Sequence, residues 1–383
     1  MKIKVPFLSY CILALTAFTT AAQQLPFSIK DTVAVPEVDE SPLFLNYNFT
    51  YKKRLDSIQR TIPLIYNEHV QKYIDIYSGR KDMMGKMLGL SDYYFPIFEK
   101  ALVSYDIPNE IKYLPIIESS MNPHAVSRVG ATGLWQFMFA TAKGYGLNID
   151  SYVDERKDPI QASYAAAAYF RDAYEQLGDW VLAIAAYNCG MGSVKRAMEK
   201  ADSRDFWEIR KFLPAETRNY VPAFIAAVYV MNCPDKHQIK SQRTALLKNT
   251  DTIQVTRFIS LGLLAKAMDI EEEELWSLNP SYRKKLVNGS SSAPKRVILP
   301  KVGLEDFASL YDVLNNETEH TARKVILAAN NPAFIYHKVS SGQSLGIIAK
   351  KYRLNGWPIR TILKVWSCCL LRKRARTSTE KIS

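Results

Sequence analysis

The chain has 383 residues, a length that fits two or three domains. Hydrophobic residues make up 48% and charged residues 23% of it, which excludes global disorder because enough apolar surface is present to form a core. The net charge is +12, yet the basic residues are interspersed with acidic ones except at LLRKRAR near the C-terminus. No zinc-finger or RNA-binding signature accompanies them, so we expect no nucleic-acid partner. A basic surface also suits other polyanions.

The first 22 residues have the features of an export signal. Two lysines precede an apolar run over residues 7–18, and TTAAQ offers small residues for cleavage near Ala21 or Ala22. The run is shorter than the ~20 residues of a membrane span, although an uncleaved N-terminal anchor stays an alternative. Cys11 follows a tyrosine where a lipoprotein signal has a small residue, so lipidation is disfavoured but left open. We therefore expect an exported protein.

Four cysteines remain after the signal: Cys189, Cys233, Cys368 and Cys369. An exported protein can form disulfides, and a Cys189–Cys233 bond is one interpretation. The alternative is that they are small buried residues with free thiols. No Cys/His cluster has the spacing of metal ligands, so we expect neither a metal nor a cofactor.

The first two segments after the signal differ in the spacing of their apolar residues. Residues 23–45 contain prolines without sustained periodicity, which predicts a linker. Residues 46–105 return to helical spacing, with Val70, Ile74 and Tyr77 on one stripe. We predict helices over 46–105 that pack against the domain that follows.

Residues 106–235 predict an all-helical domain. A helix over PNEIKYLPIIES is expected to bend at Pro115, and KDPIQASYAAAAYFRDAYEQLG has Asp158 as its N-cap and Gly178 at its end. DWVLAIAAYNCGMGSVKRAMEK predicts two helices separated at NCGMG. AETRNYVPAFIAAVYVMN predicts another, in which Pro222 is tolerated only near the start. Helices packed on one another define a mainly α domain.

The texture changes from about residue 250. Residues 250–300 predict a strand, two helices and the closing strand RVILP, and a similar opening, FIYHKVSSGQSLGIIAKKY, recurs in residues 334–383. LGLLAKAM and LGIIAKKY are the shared part of this weak repeat. We assign 301–333 to a connector, and the overall fold class to a mainly α domain followed by small α+β modules.

A single carboxylate at the end of an apolar stretch is the first candidate for chemistry. Glu118 follows LPII and precedes Met121 by three residues. An acid that donates a proton at neutral pH needs a raised pKa, which burial among apolar groups provides. Alone, this pattern is more typical of a solvated glutamate at a helix end.

Three further motifs follow this glutamate in order. The four motifs are Glu118-Ser119, Gly133-Leu134-Trp135-Gln136, Ala186-Tyr187-Asn188-Cys189-Gly190, and Tyr220 within ETRNYVP. This set resembles the lytic murein transglycosylases, whose domain is lysozyme-like and all-helical, and especially the D-type membrane-associated enzymes. The repeat at the C-terminal side resembles LysM, a module that binds N-acetylglucosamine polymers. Cleavage of peptidoglycan glycan strands in the periplasm or envelope of a Gram-negative-type bacterium is what the resemblance implies, with peripheral outer-membrane association left open.

The resemblance also implies a mechanism. One glutamate, Glu118, would protonate the β-1,4 glycosidic oxygen between N-acetylmuramic acid and N-acetylglucosamine. The same carboxylate would then remove the proton of the muramic 6-hydroxyl, which closes a 1,6-anhydro ring without consuming water. This is a lyase-type reaction.

Roles for the first two motifs follow from the same resemblance. Ser119 would contribute a polar contact to the substrate, and Gly133 would allow close backbone approach. Gln136 offers an amide for sugar hydroxyls and acetamido groups, or else is an N-cap or surface amide. Trp135 would offer an aromatic face to a sugar ring.

The later motifs complete the predicted site. Tyr187 and Asn188 would face the muramic acetamido group, and Tyr220 would hydrogen-bond or position Glu118; both tyrosines could instead be core aromatics. His124 is a tempting extra base, but the family pattern gives it no role and surface polarity is the better interpretation.

Several alternatives stay open on sequence alone. If Asp150 or Asp154 entered the cleft with Glu118, ordinary lysozyme-like hydrolysis becomes plausible. A non-catalytic wall-binding protein is the third interpretation. The first LysM-like repeat is either a glycan-binding module or a spacer, and the second departs from the pattern after about Leu354, as if truncated or shifted in frame.

Overall fold

The computed structural model describes residues 48–246 and 249–315, together with the backbone of two strands at 335–338 and 379–382. The predicted signal peptide, the 23–45 linker, Cys11, Cys368, Cys369 and most of the 334–383 module lie outside these residues. No helix among the described residues is both long and apolar enough to cross a membrane.

Helices form the first part of the described chain. They are α1 (Phe49–Ile58), α2 (Glu68–Gly79), α3 (Lys81–Val103), α4 (Leu114–Ser119), α5 (Phe139–Gly144), α6 (Pro159–Leu177), α7 (Trp180–Cys189), α8 (Met191–Ala201), α9 (Phe206–Ile209) and α10 (Ala215–Asn232). Short 3-10 helices span Asn109–Tyr113, Arg210–Phe212 and Pro234–His237. The predicted mainly α domain is confirmed.

The ends of α6, α7 and α8 follow local sequence signals. The Asp158 carboxylate accepts hydrogen bonds from the first free amides of α6, which begins with Pro159, and Gly178 caps the end of that helix with φ of 71°. Gly190, with φ of 83°, separates α7 from α8. The predicted break at NCGMG is therefore a change of helix direction at one glycine.

The prolines of the domain act differently from the prediction. Asn109–Tyr113 is a 3-10 helix, and Pro115 stands in the first turn of the separate helix α4, where its missing N–H costs nothing. Pro222 lies in the interior of α10, which the sequence analysis did not expect. Its missing N–H would leave the carbonyl of Arg218 without a helical donor, and the side chain of Arg210 donates to that carbonyl at 2.9 Å.

One hydrophobic core joins the predicted N-terminal region to the helical domain. Leu55, Tyr73 and Phe98 belong to the same buried cluster as Ile117 and Phe224. α10 is the central helix, because it contacts α2, α3, α4 and α7. The helices of 46–105 thus build the domain rather than merely covering it.

A smaller α+β module with its own core follows. It contains β1 (Thr250–Val255), β2 (Phe258–Ser260), α11 (Leu261–Ala267), α12 (Glu272–Leu278), β3 (Leu286–Asn288), β4 (Lys295–Pro300) and α13 (Leu304–Asn315). β1 pairs antiparallel with β4, from Thr250 opposite Pro300 to Val255 opposite Lys295, and β2 pairs antiparallel with β3.

The last helix of the module corrects one boundary. The sequence analysis assigned 301–333 to a connector, but α13 packs against α11 and buries Leu310 in the core of the module. Further along, β5 (Ile335–Lys338) pairs antiparallel with β6 (Thr379–Ile382).

Candidate active site

Glu118 is buried at the centre of the helical domain. Its side chain has no exposed surface, and every residue of α4 is buried with it. The hydroxyl of Tyr220, on α10, donates a hydrogen bond to Oε1 of Glu118 at 2.5 Å. The chain leaves α4 through Ser120 in the left-handed conformation, with φ of 51°. Two helices far apart in sequence thus bring an acid and a phenol into contact, as the motif order predicts.

Two tyrosines next to this carboxyl keep their protons at neutral pH. Burial raises the pKa of Tyr220 well above its ordinary value, and the charge of Glu118 and the hydrogen bond to it raise it further. Burial also raises the pKa of Tyr187, and the nearby Glu118 adds to the effect. Both phenols are therefore hydrogen-bond donors throughout the physiological range.

The motif side chains hold the Gly-Leu-Trp-Gln turn from several directions. Three successive carbonyls of the turn each accept a hydrogen bond: Gly133 from Gln136 Nε2 at 2.8 Å, Leu134 from Ser119 Oγ at 2.9 Å, and Trp135 from the Tyr187 hydroxyl at 2.7 Å. Because Ser119 follows Glu118 directly, its bond ties the turn to the helix that carries the acid.

This arrangement gives four motif residues partners within the protein. Ser119 and Gln136 are buried and donate to backbone carbonyls, whereas a substrate contact was expected. Trp135 is fully buried, with its indole N–H donating to Ser163 Oγ at 3.0 Å, so its ring offers no face to a sugar. Gly133 does permit a close approach, but the approaching group is the chain itself. A Cβ there would lie 1.8 Å from the carbonyl oxygen of Arg156.

Tyr187 packs as a core aromatic while its hydroxyl holds the turn. Its ring is stacked on Phe170 at 4.9 Å and meets Tyr169 edge-on at 5.0 Å. The ring of Tyr187 is therefore a core aromatic, which was one interpretation of the sequence. Its hydroxyl donates to the turn, and the residue lies near Glu118.

Asn188 is tied to the start of α10, where a second carboxylate lies. Its amide nitrogen donates to Glu216 Oε1 at 3.2 Å, and its oxygen accepts from the Thr217 hydroxyl at 2.6 Å. Glu216 also contributes to the raised pKa of Tyr220. The sequence analysis missed Glu216, although it stands one helical turn before Tyr220 in the same ETRNY motif.

The two aspartates considered as a second carboxylate have other partners. Asp154 is buried and receives two hydrogen bonds from the Arg156 guanidinium, at 2.9 and 2.8 Å. Asp150 is exposed, and its Oδ1 accepts from the amides of Tyr152 and Val153. Their geometry is structural, so neither supplies the basis for hydrolysis that the sequence left open.

A cavity of about 480 Å³ lies at the end of α7, on the side of Tyr187 and Asn188. Its lining includes Tyr187 and Asn188 at the end of α7, together with Met138, Tyr145 and Met191. The aromatic and thioether groups suit the apolar faces of sugar rings. Glu118 itself has no exposed surface, so a substrate in this cavity would reach it only after neighbouring side chains move.

The surroundings of His124 and of the two cysteines decide between their predicted roles. His124 is half-buried, with its ring 4.6 Å from that of Trp276 in the module, so it is an interface residue rather than a surface one. Burial lowers its pKa, and the charge of Lys157 lowers it further. Cys189 and Cys233 are free thiols, and burial raises the pKa of Cys189 to about 11, which makes it unreactive at neutral pH.

Family comparison assigns two domains to the chain. Residues 95–210 match the transglycosylase SLT domain, and residues 249–316 match the LysM-like domain of the lytic transglycosylase MltD. The chain therefore carries an SLT domain followed by an MltD-type LysM-like domain, which confirms the resemblance predicted from the motifs. The second match also includes α13, in agreement with its packing.

Individual relatives extend this similarity over most of the described chain. Membrane-bound lytic murein transglycosylase D of Escherichia coli K12 is 25% identical over 303 residues, which cover 77% of this chain and 65% of that protein. The chain thus spans less than two thirds of that relative's length. The transglycosylase of Enterobacteria phage PRD1 is 44% identical over 73 residues, or 19% of this chain and 25% of that protein. The solved 70 kDa soluble lytic transglycosylase of Escherichia coli shares 28% identity over 39% of this chain and 26% of its own, with a TM-score of 0.33.

Proposed function

We propose that the protein is a peptidoglycan lytic transglycosylase with Glu118 as its single acid and base. The observation that carries the proposal is a fully buried carboxyl that receives a hydrogen bond from Tyr220, inside an SLT domain. Burial disfavours the charged form of a carboxyl, and a neutral carboxylic acid is what the first proton transfer requires.

The reaction proceeds in two proton transfers. Glu118 gives its proton to the glycosidic oxygen, the bond from the muramic anomeric carbon to that oxygen breaks, and the N-acetylglucosamine side leaves with a free hydroxyl. The carboxylate then accepts the proton of the muramic 6-hydroxyl, whose oxygen bonds to the anomeric carbon. Glu118 is again protonated, and no water is consumed. Tyr220 donates to the carboxylate formed between the two steps.

The remaining motif residues act on the geometry of the site. Ser119, Gly133, Gln136 and Tyr187 hold the turn beside Glu118 in place. Asn188 lines the cavity, and its hydrogen bonds to Glu216 and Thr217 fix its amide on α10. In this proposal most of the motif positions substrate-binding elements, and few of its side chains contact glycan.

Hydrolysis of the same bond is the second candidate, and Glu216 is the observation that favours it. This carboxylate lies beside Asn188 and Tyr220, and glycosidases that use water commonly have two carboxylates. The anhydro reaction needs only one, and the hydrogen bond to Asn188 gives Glu216 a structural role.

Product analysis in ¹⁸O-labelled water separates the two reactions. Purified peptidoglycan is digested with the full chain, and the muropeptides are analysed by mass. We expect disaccharide products one water lighter than those of a lysozyme, without ¹⁸O. Products that carry ¹⁸O and a reducing end would show hydrolysis, and unchanged glycan strands would show a non-catalytic protein.

The cell envelope of a Gram-negative-type bacterium is the proposed site of action. The matching relative is named as membrane-bound and murein-cleaving, and the N-terminal sequence has the pattern of an export signal. The partner is then peptidoglycan itself.

A further inference from the structure

The LysM-like module is docked against one segment of the helical domain, residues 150–158. The amide of Asp154 donates to the carbonyl of Ser281 at 2.9 Å, and the amide of Arg283 donates to the carbonyl of Tyr152 at 2.8 Å. Between these bonds, Val153 forms a β-bridge with the module and places its side chain in the module's core. The contact is therefore a short sheet that crosses between the two domains.

An ion pair fixes the C-terminal end of the same segment. Arg296, on β4, donates from Nη2 to both carboxylate oxygens of Asp158, each at 2.9 Å. Both side chains are largely buried, with 23% and 16% of their surface exposed. Asp158 is also the N-cap of α6, so the module holds the residue at which that helix begins.

The docked segment in turn supports the motif turn beside Glu118. The Arg156 guanidinium donates to the carbonyl of Gly130 at 3.1 Å while it is paired with Asp154. The backbone carbonyl of Arg156 packs against Gly133 so closely that no side chain would fit between them. A shift of this segment would therefore move the turn that Ser119 joins to the catalytic helix.

Two further contacts fix the module's position. The ring of Trp276 lies 4.6 Å from His124, in the loop that follows Glu118. The linker that precedes the module crosses α3 at two glycines: the amide of Gln242 donates to Gly85, and a Cβ on Gly89 would be 1.9 Å from the Gln242 carbonyl. The module thus contacts the loop after Glu118 and the segment behind the turn.

We propose that the LysM-like module is a positioning element of the active site, acting through Arg296, Asp158 and Arg156, in addition to any capture of glycan. This inference rests on the proposed function only for its kinetic consequence. Loosening the contact between the module and the helical domain then lowers kcat even on short glycans. Such glycans are too small to bind the active site and a separate glycan-binding module at once.

The kinetic test compares full-length variants on a purified tetrasaccharide strand and on intact sacculi. Arg296→Ala removes the pair, Arg296→Lys retains the charge, and Lys266→Ala is the control, since Lys266 is exposed on α11 of the same module. We expect Arg296→Ala to lower kcat on the tetrasaccharide about tenfold with little change in KM, because small displacements of catalytic geometry are costly. Arg296→Lys should recover part of this loss, and Lys266→Ala should match the wild type.

Two outcomes overturn the inference. One is an unchanged kcat on the tetrasaccharide, and the other is an effect confined to KM on sacculi, which would assign the module to glycan capture alone. An inactive wild type would instead refute the proposed function.

Hydrogen exchange tests the same coupling between the module and the turn without an activity measurement. In Arg296→Ala, amides of residues 130–137 and 150–158 should exchange faster than in the wild type and in Lys266→Ala, at a temperature where all three remain folded. Equal exchange at 130–137 in the three proteins would contradict the inference.

Discussion

The contact between Tyr220 and Glu118 gives one phenol a defined task at the residue scale. A tyrosine that donates to a carboxylate stabilises the charged form, and Tyr220 is a permanent donor because its own pKa is raised by burial and by Glu118. In the proposed reaction its hydrogen bond stabilises the carboxylate that exists between the two proton transfers. Its ring alone would suffice for packing.

Tyr220→Phe should separate these two roles. The variant retains the ring but loses a hydrogen bond to a charged group, worth about 1.5–3 kcal/mol, so kcat should fall roughly 10- to 100-fold. The alkaline limb of the pH–rate profile should move to higher pH, because the carboxylate has lost a donor. Tyr311→Phe, at a position 58% exposed on α13, is the matched control. A Tyr220→Phe enzyme with an unchanged rate and pH profile would limit Tyr220 to packing.

At the residue scale the sequence named the motif residues but not the partners of their side chains. The motif order brought Glu118 and Tyr220 together correctly. Ser119 and Gln136 were expected at the substrate, and Trp135 was expected to stack on sugar. A motif shows which side chains occur together. It does not show that their partners are backbone carbonyls, because every residue has one.

The turn beside Glu118 is the element on which most of these side chains converge. Its carbonyls are held by three side chains, and its first residue packs against the backbone at Arg156. Gly130 and Gly133 in this loop both have φ of 88°, but only Gly133 is crowded, because nothing lies within 4 Å of a Cβ on Gly130. The two glycines therefore form a natural comparison.

Gly133→Ala should destabilise the protein more than Gly130→Ala. Both variants bear the cost of a left-handed residue, about 1–2 kcal/mol. Gly133→Ala adds a clash with a backbone carbonyl, worth a further ~1–3 kcal/mol. Urea unfolding measures both losses, and equal losses would mean that the approach of Arg156 is not tight.

The segment 150–158 adds a pH-dependent contribution. Burial raises the pKa of Asp154, but the hydrogen bonds and charge of Arg156 outweigh it and hold that pKa below its usual value. A lowered folded-state pKa gives stability that is complete above the unfolded pKa of about 3.9 and is lost as the pH falls through the folded value.

Asp154→Asn should therefore be costly at neutral pH and less so in acid. Breaking a buried pair leaves Arg156 without its partner, at a cost of about 3–5 kcal/mol at pH 7. The difference from the wild type should shrink below about pH 4, where the wild type also loses the charge of Asp154. Urea unfolding across pH 3–7 measures it, and a difference independent of pH would contradict the assignment.

Among the elements, local signals predicted helix ends better than proline effects. Asp158 and Gly178 bound α6 as expected because capping depends on neighbouring residues. Pro222 lies inside α10 because Arg210, twelve positions earlier, supplies the missing donor. Such a substitute donor depends on tertiary structure, and spacing along the chain does not reveal it.

At the scale of the whole molecule, the described residues form two cores that meet at an interface. The sequence analysis placed the change from the helical domain to the α+β module near residue 250, where periodicity and composition change. It did not predict that helices of 46–105 share the domain's core, or that Arg296 reaches Asp158. These contacts join residues far apart in the chain. Neither partner stands in a local sequence pattern that indicates the contact.

The central claim is that the buried carboxyl of Glu118 carries out both proton transfers. The most direct measurement is the rate of anhydro-muropeptide release from purified peptidoglycan by Glu118→Gln, compared with the wild type and with Glu199→Gln, an exposed glutamate on α8. Because glutamine keeps the size but has no acidic proton, the rate should fall at least about 100-fold with thermal stability retained. Glu199→Gln should match the wild type. Release by Glu118→Gln at the wild-type rate would contradict the account.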